Sequence, residues 1–124
     1  MDNVLKLFDA EFRFVNIVWE VEPINSTKLV KMCQDRLGWK KSTTYTVLKK
    51  LCDRQVLQNE KTIVTALVKR EEVQKYESEI LLHKAFNGSL PGFMAAFLQD
   101  RKLSSDEAAE LRLMIEEAEI SDQS

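Results

Sequence analysis

Helix breakers are scarce along this chain, and their positions leave segments too long and uninterrupted for a turn-rich β architecture. Its 124 residues include only three glycines and two prolines, and these two residue types are the strongest local punctuation a sequence has. A first helical pattern runs from Asp9, a good N-cap, to Glu20, with Phe12, Val15, Ile17, Val18 and Trp19 on its apolar face and Pro23 ending the segment. Asn25 then caps a second helix, in which Leu29, Val30, Met32 (or Cys33) and Leu37 recur at helical spacing. Gly38 follows, where a left-handed C-terminal residue is wanted. Ser42 is the expected N-cap of a third helix, with Tyr45, Val47, Leu48, Leu51 and Cys52 inward. Two short helices joined by a glycine-containing turn match a helix-turn-helix.

Residues 56–68 change character. Leu57, Ile63, Val64, Leu67 and Val68 are strand-like around a hairpin tip expected at Asn59-Glu60-Lys61, which predicts a short two-stranded wing. Arg54-Gln55-Val56, just before it, lacks the glycine expected between a helix and a strand. From Lys69 the pattern is helical again. Glu71 and Glu72 favour the positive end of a long helix that stops at Asn87-Gly88. Ser89 caps the next helix with Pro91 in its first turn, and Ser104 with Glu107 forms a capping box for the last. The fold class expected is mostly α. Residues 1–69 form a winged helix-turn-helix domain, residues 70–120 a three-helix dimerisation domain, and residues 121–124 a polar tail.

A formal net charge of −2 conceals an asymmetry: residues 26–61 carry 9 Lys and Arg against 3 Asp and Glu, while residues 69–124 carry 7 against 12. A basic segment beside an acidic one suits a polyanionic partner. Its centre is GWKKSTTYTVLKKL, residues 38–51. A helix entering the DNA major groove needs cations and hydroxyls for phosphates, short polar or methyl-bearing side chains for base edges, and an apolar back. Lys41, Thr43, Thr46, Lys49 and Lys50 fall on or beside the outer face. The free N-terminus of the same helix offers N–H donors to a phosphate. Taken alone, threonines and lysines describe an ordinary solvated face. Their place after a helix and turn, and before a wing, points to duplex DNA.

The acidic half supplies Phe93, Met94, Phe97 and Leu98, then Leu103, Leu111, Met114 and Ile115. Three helices of this size are marginal for a private core. They can pack back on the first domain or pair with a second copy. A two-fold homodimer is what a helix-turn-helix protein needs to read a palindrome.

Catalysis would need a nucleophile–base pair or a metal cluster. The sole histidine, His83, sits in Ile80-Leu81-Leu82-His83-Lys84 as a structural or dimer-contact residue, and there is no Gly-rich phosphate loop. No enzyme activity, cofactor or metal is expected. Cys33 and Cys52 are isolated, which suits structural thiols in a reducing cytoplasm. No stretch approaches the ~20 apolar residues of a membrane span, and no secretory signal opens the chain. The rival reading is a winged-helix protein–protein adaptor.

Asp9-Ala10-Glu11 with Val18-Trp19, and Gly38-Trp39-Lys40 with Ser42-Thr43, Thr46, Leu48 and Leu51, carry a resemblance to the BlaI/MecI/CopY family of bacterial repressors. Phe86-Asn87-Gly88-Ser89-Leu90 and Leu103-Ser104 with Glu107, Glu110 and Leu111 extend it through the second half. It implies repression of antibiotic-resistance or stress genes by a homodimer on an inverted-repeat operator. Its DNA-contacting positions fall on Ser42, Thr43, Thr46 and Lys50; charge and helical phase add Lys40, Lys41 and Lys49. Dimerisation is expected through Phe93, Met94, Phe97, Leu98, Leu111, Met114 and Ile115. In the β-lactam-responsive branch a membrane sensor and protease system leads to cleavage at an Asn-Phe bond, and the matching pair here is Ala96-Phe97. The copper-responsive branch carries a C-terminal CxCxxxxCxC, and this chain has no cysteine after Cys52. The family's Lys-Gly before the wing is Arg54-Gln55 here.

Overall fold

The apolar face of the first helix is the surface on which the other elements assemble. In the computed structural model, which describes residues 5–120, α1 spans Asp9–Val21 and buries Phe14, Val15, Ile17 and Val18. Phe14 was not among the residues expected inside, yet it is fully buried, while Phe12 and Trp19 are half-buried. The helical spacing that brings Val15 and Val18 inward also brings in Phe14, one turn before Val18. Phe8, rather than Asp9, is the N-cap, and it makes no side-chain cap bond. Glu11 reaches back instead and accepts from the Phe8 N–H at 2.9 Å, so a polar cap side chain is not required there.

The chain continues through β1 (Ile24–Asn25), α2 (Ser26–Leu37), α3 (Lys41–Asp53), β2 (Leu57–Glu60) and β3 (Ile63–Ala66). The strands form an antiparallel sheet in the order β1-β3-β2. β1 was not foreseen: two residues are too few to show an alternating pattern. The Asn25 side chain caps α2 as expected, accepting from the Thr27 N–H at 2.8 Å.

The wing differs at its tip. Glu60 pairs with Ile63, so the turn is Lys61–Thr62 rather than Asn59-Glu60-Lys61. Both turn residues have positive φ, 50° and 68°, the backbone that matches a two-residue hairpin to the twist of its strands. Neither is glycine, and the tip is held from behind. Ser26 N–H donates to the Thr62 carbonyl at 2.8 Å, and Asn25 Nδ2 donates to Thr62 Oγ1 at 3.2 Å. Where a glycine was wanted before the wing, Gln55 adopts φ 63°. Val56 N–H then donates to the Leu51 carbonyl at 2.9 Å, a bond that satisfies an end-of-helix acceptor.

Leu29 and Cys33 from α2, Leu48 and Leu51 from α3, and Val56, Leu57, Val64 and Val68 from the wing region complete the core. Val73 in α4 (Arg70–Phe86) joins them, fully buried. Trp19 Nε1 donates to the Val68 carbonyl at 3.0 Å, and the Arg70 guanidinium lies 5.5 Å from the Trp19 ring centre. The chain divides into two compact units within α4, one ending at Leu81 and the other starting at Leu82.

The second unit holds the end of α4, then α5 (Leu90–Phe97) and α6 (Ser105–Ala118). Asn87 and Gly88 both take left-handed backbone after α4, φ 51° and 83°, as its stop signal requires. Ser89 Oγ caps α5 through the Gly92 N–H at 2.9 Å. Ser104 Oγ caps α6 through the Glu107 N–H at 3.1 Å; of the expected capping box, this half forms. Phe86 meets Phe93 edge-on at 5.4 Å, and Phe93 stacks on Phe97 at 5.6 Å. None of the described residues in this unit is buried.

One ion pair ties the chain's start to the end of α3. Arg54 Nη1 donates to both Glu11 carboxylate oxygens at 3.1 Å, and Nη2 to the Lys6 carbonyl. The side chains are 30% and 12% exposed, so this pair is partly withdrawn from solvent. Glu11→Ala would strand the guanidinium and release the Phe8 N–H. We expect a loss of about 1.5–3 kcal/mol in unfolding free energy by urea titration; a loss inside the range of an exposed pair would show the clamp to be idle.

Candidate nucleic-acid interface

The turn between α2 and α3 consists of Gly38, Trp39 and Lys40, and each residue has a distinct task. Gly38 takes φ 69° and its N–H donates to the Gln34 carbonyl at 3.1 Å, which ends α2 where a Cβ would be strained. Trp39 N–H donates to the Cys33 carbonyl at 3.3 Å, and its ring stacks on Phe14 at 5.6 Å. Lys40 is the N-cap of α3, not Ser42, and makes no side-chain cap bond. Ser42 lies within the first turn. With no capping side chain, the first N–H groups of α3 are open to an anion.

α3 buries Thr44, Leu48 and Leu51 and half-buries Tyr45, Val47 and Cys52. At about 100° per residue, Thr46 stands about 160° from both Thr44 and Leu48. The exposed side therefore collects Ser42, Thr43, Thr46, Lys49 and Lys50, with Lys40 and Lys41 exposed at its N-terminal end. All the residues expected to contact DNA lie in solvent on one helix.

Two of them are already engaged. Thr46 Oγ1 donates to the Ser42 carbonyl at 2.9 Å. With its proton committed, this hydroxyl presents lone pairs outward and suits a base amino group as acceptor. Lys49 Nζ lies 3.3 Å from Asp53 Oδ2, with the side chains 78% and 66% exposed. Asp53 was overlooked on sequence, although its phase, seven residues after Thr46, puts it on the same face. Lys61, exposed at the wing tip, was also missed as a DNA-facing candidate, although the expected tip Asn59-Glu60-Lys61 included it.

Thr44 is the other surprise. Among the described residues its Oγ1 is the one fully buried side-chain oxygen without a hydrogen-bond partner. Burial pushes the neighbouring Cys33 thiol up to about 11, with the Thr44 hydroxyl and the Arg36 charge acting in the opposite direction. Sulfur is too weak an acceptor to satisfy a hydroxyl fully. Burial, then the Asp53 charge, raises Cys52 as well. Both cysteines are free, and neither is poised as a thiolate.

In the second unit, Phe93, Met94, Leu98 and Leu111 are half-buried, while Phe97, Met114 and Ile115 are 47%, 60% and 65% exposed. Ala96 and Phe97 lie inside α5, where the Phe97 ring has Phe93 on one contact and the Arg101 guanidinium 4.6 Å away on another. Among the described residues, no three His, Cys, Asp or Glu are grouped to hold a metal, and no helix is long and apolar enough to cross a membrane.

Helices α1–α3, a three-stranded sheet and an exposed, uncapped third helix define a winged helix-turn-helix protein. Residues 7–117 match the family model described as Penicillinase repressor, and the chain belongs to that family. It is 25% identical over 121 residues to the penicillinase repressor of Bacillus licheniformis, covering 94% of both chains. It is 24% identical over 117 residues to the methicillin resistance regulatory protein MecI of Staphylococcus aureus strain Mu50, covering 90% of this chain and 95% of that one. Among solved structures it resembles the DNA-binding domain of the repressor BlaI in solution, with TM-score 0.52 and 21% identity, over 58% of this chain and 93% of that one.

Thr44→Val keeps the shape and removes the orphaned hydroxyl. We expect the unfolding free energy to rise by about 1 kcal/mol, since an unsatisfied buried polar group costs roughly 1–3 kcal/mol. A fall on thermal or urea denaturation would show that the Cys33 thiol is a full partner after all.

Proposed function

We propose that this chain represses transcription in the cytoplasm by occupying an inverted-repeat DNA operator as a homodimer. The observation that carries this reading is the open N-terminus of α3, flanked by Lys40, Lys41, Ser42 and Thr43 on a helix whose opposite side is locked into the core. Lys40, Lys41 and Lys50 neutralise phosphates, which supplies the sequence-independent affinity. Ser42, Thr43 and Thr46 meet base edges, Thr46 as an acceptor with its methyl beside it. The kinship with the penicillinase repressor and MecI supports regulation of antibiotic-resistance or related stress genes.

Residues 1–69 act as the DNA-binding domain and residues 70–120 as the dimerisation domain. A second copy covers the apolar side chains that one chain leaves in water, with Phe93, Met94, Phe97, Leu98, Leu111, Met114 and Ile115 as its contacts. Two-fold pairing presents two α3 helices to major grooves one DNA turn, about 34–36 Å, apart. Ala96, where the β-lactam-responsive branch has asparagine, favours release by a route other than sensor-triggered cleavage of this bond. A protein–protein adaptor would need none of the open N–H groups and would show no steep salt dependence on DNA.

The test is fluorescence anisotropy on the inverted repeat that the purified chain selects from genomic fragments, compared with random duplex. Thr46→Ala should weaken the selected site by about 1–3 kcal/mol and leave random duplex nearly unchanged. Lys50→Ala should weaken both alike and reduce the salt slope by about 0.9. Equal losses on both duplexes for Thr46→Ala would remove it from base readout. For the homodimer, sedimentation should give the mass of two chains for the unaltered protein and of one for Met114→Glu with Ile115→Glu. A single-chain mass for the unaltered protein would overturn the pairing.

A further inference from the structure

The exposed face of α3 carries one acid, and nothing in the fold accounts for it. Asp53 is the last residue of α3, where a carboxylate opposes the negative end of the helix dipole. Its pairing with Lys49 at 3.3 Å runs in the less favourable order for a helix, cation before anion. Both side chains are well exposed, so the pair adds little to stability. Within residues 41–53 it is also the only negative charge, and its phase puts it about 20° from Ser42 and Thr46 on the same stripe.

We propose that Asp53 is an internal counter-charge that holds Lys49 back from the phosphate backbone and so limits the affinity of this face for DNA of any sequence. The inference rests on the DNA-binding reading and names a residue that sets how much of the binding is purely electrostatic. Lys40, Lys41 and Lys50 make no ion pair within the described residues, and they remain available to phosphates. Lys49 is the lysine of this face that has a resident partner. A cation shared with its own helix releases less counterion from the duplex, and its share of the salt slope is reduced. Restraint of this kind matters to any protein that must find one site among very many competing ones.

The experiment uses the full chain, a fluorescein-labelled random-sequence duplex and a sodium chloride titration. Asp53→Asn should bind about 1.4- to 5-fold more tightly, which is the 0.2–1 kcal/mol range of an exposed pair at 1.36 kcal/mol per decade. Its log–log salt slope should steepen, by up to about 0.9, one phosphate's worth. The same substitution in a Lys49→Ala background should leave the slope where Lys49→Ala alone put it. Helix content and melting temperature should be equal to or above those of the unaltered chain, which excludes a folding defect as the cause. An unchanged slope in Asp53→Asn overturns the proposal, and so does a steepening that persists without Lys49. A flat salt dependence in the unaltered chain would instead sink the DNA-binding reading itself, so the two failures are told apart.

Discussion

The stack of Trp39 on Phe14 is the contact on which the presentation of α3 depends. Phe14 is a core residue of α1 with no exposed surface, and Trp39 stands in the turn between α2 and α3. A parallel ring contact is broad and resists tilting. The Trp39 N–H bond to the Cys33 carbonyl fixes the backbone of the same residue. Leu48 and Leu51 then clamp α3 further along, and the Arg54–Glu11 pair holds its far end. A helix pinned at start, middle and end can offer its remaining side to a groove without losing much order on binding, which is the advantage of preorganisation.

Polarity is distributed unevenly along that helix. Its beginning is cationic, uncapped and rich in hydroxyls; its end carries Asp53 and the core residue Leu51, with the ion-paired Arg54 just beyond. Thr44 and Thr46 show how phase alone separates two identical residues. One is sealed against Cys33 with an orphaned hydroxyl, and the other stands in solvent with its proton given to Ser42. The first is a source of instability in the core, the second a directed acceptor on the surface.

Much of this was legible in the sequence, for identifiable reasons. Asn25, Gly38, Asn87-Gly88 and Ser89 act through local backbone chemistry, and each does in the structure what its type and position imply. The outward phase of Thr43, Thr46 and Lys50 followed from helical periodicity, whereas Ser42 was reached through the family resemblance. What escaped was determined by contacts distant in sequence or by unused options. Phe8 and Lys40 cap their helices without a side-chain bond, so no polar residue marks them. β1 exists only because β3 pairs with it. Thr44 reads as polar and surface-bound, but the packing of α2 on α3 encloses it. Lys61 and Thr62 form the wing tip because Asn25 and Ser26 grip Thr62 across the sheet, a constraint no local window contains.

The left-handed backbone at Gln55, Lys61, Thr62, Asn87 and Asp100 bears on a state other than the folded one. A chain that makes these bends without glycine accepts about 1–3 kcal/mol of local strain at each. In return, its denatured ensemble is narrower, because residues with a Cβ roam less of φ/ψ space than glycine does. With so few glycines in the whole sequence, the disordered chain starts with less freedom to surrender. The junctions of this fold are thus strained in the native form and partly compensated by the stiffness of the unfolded one.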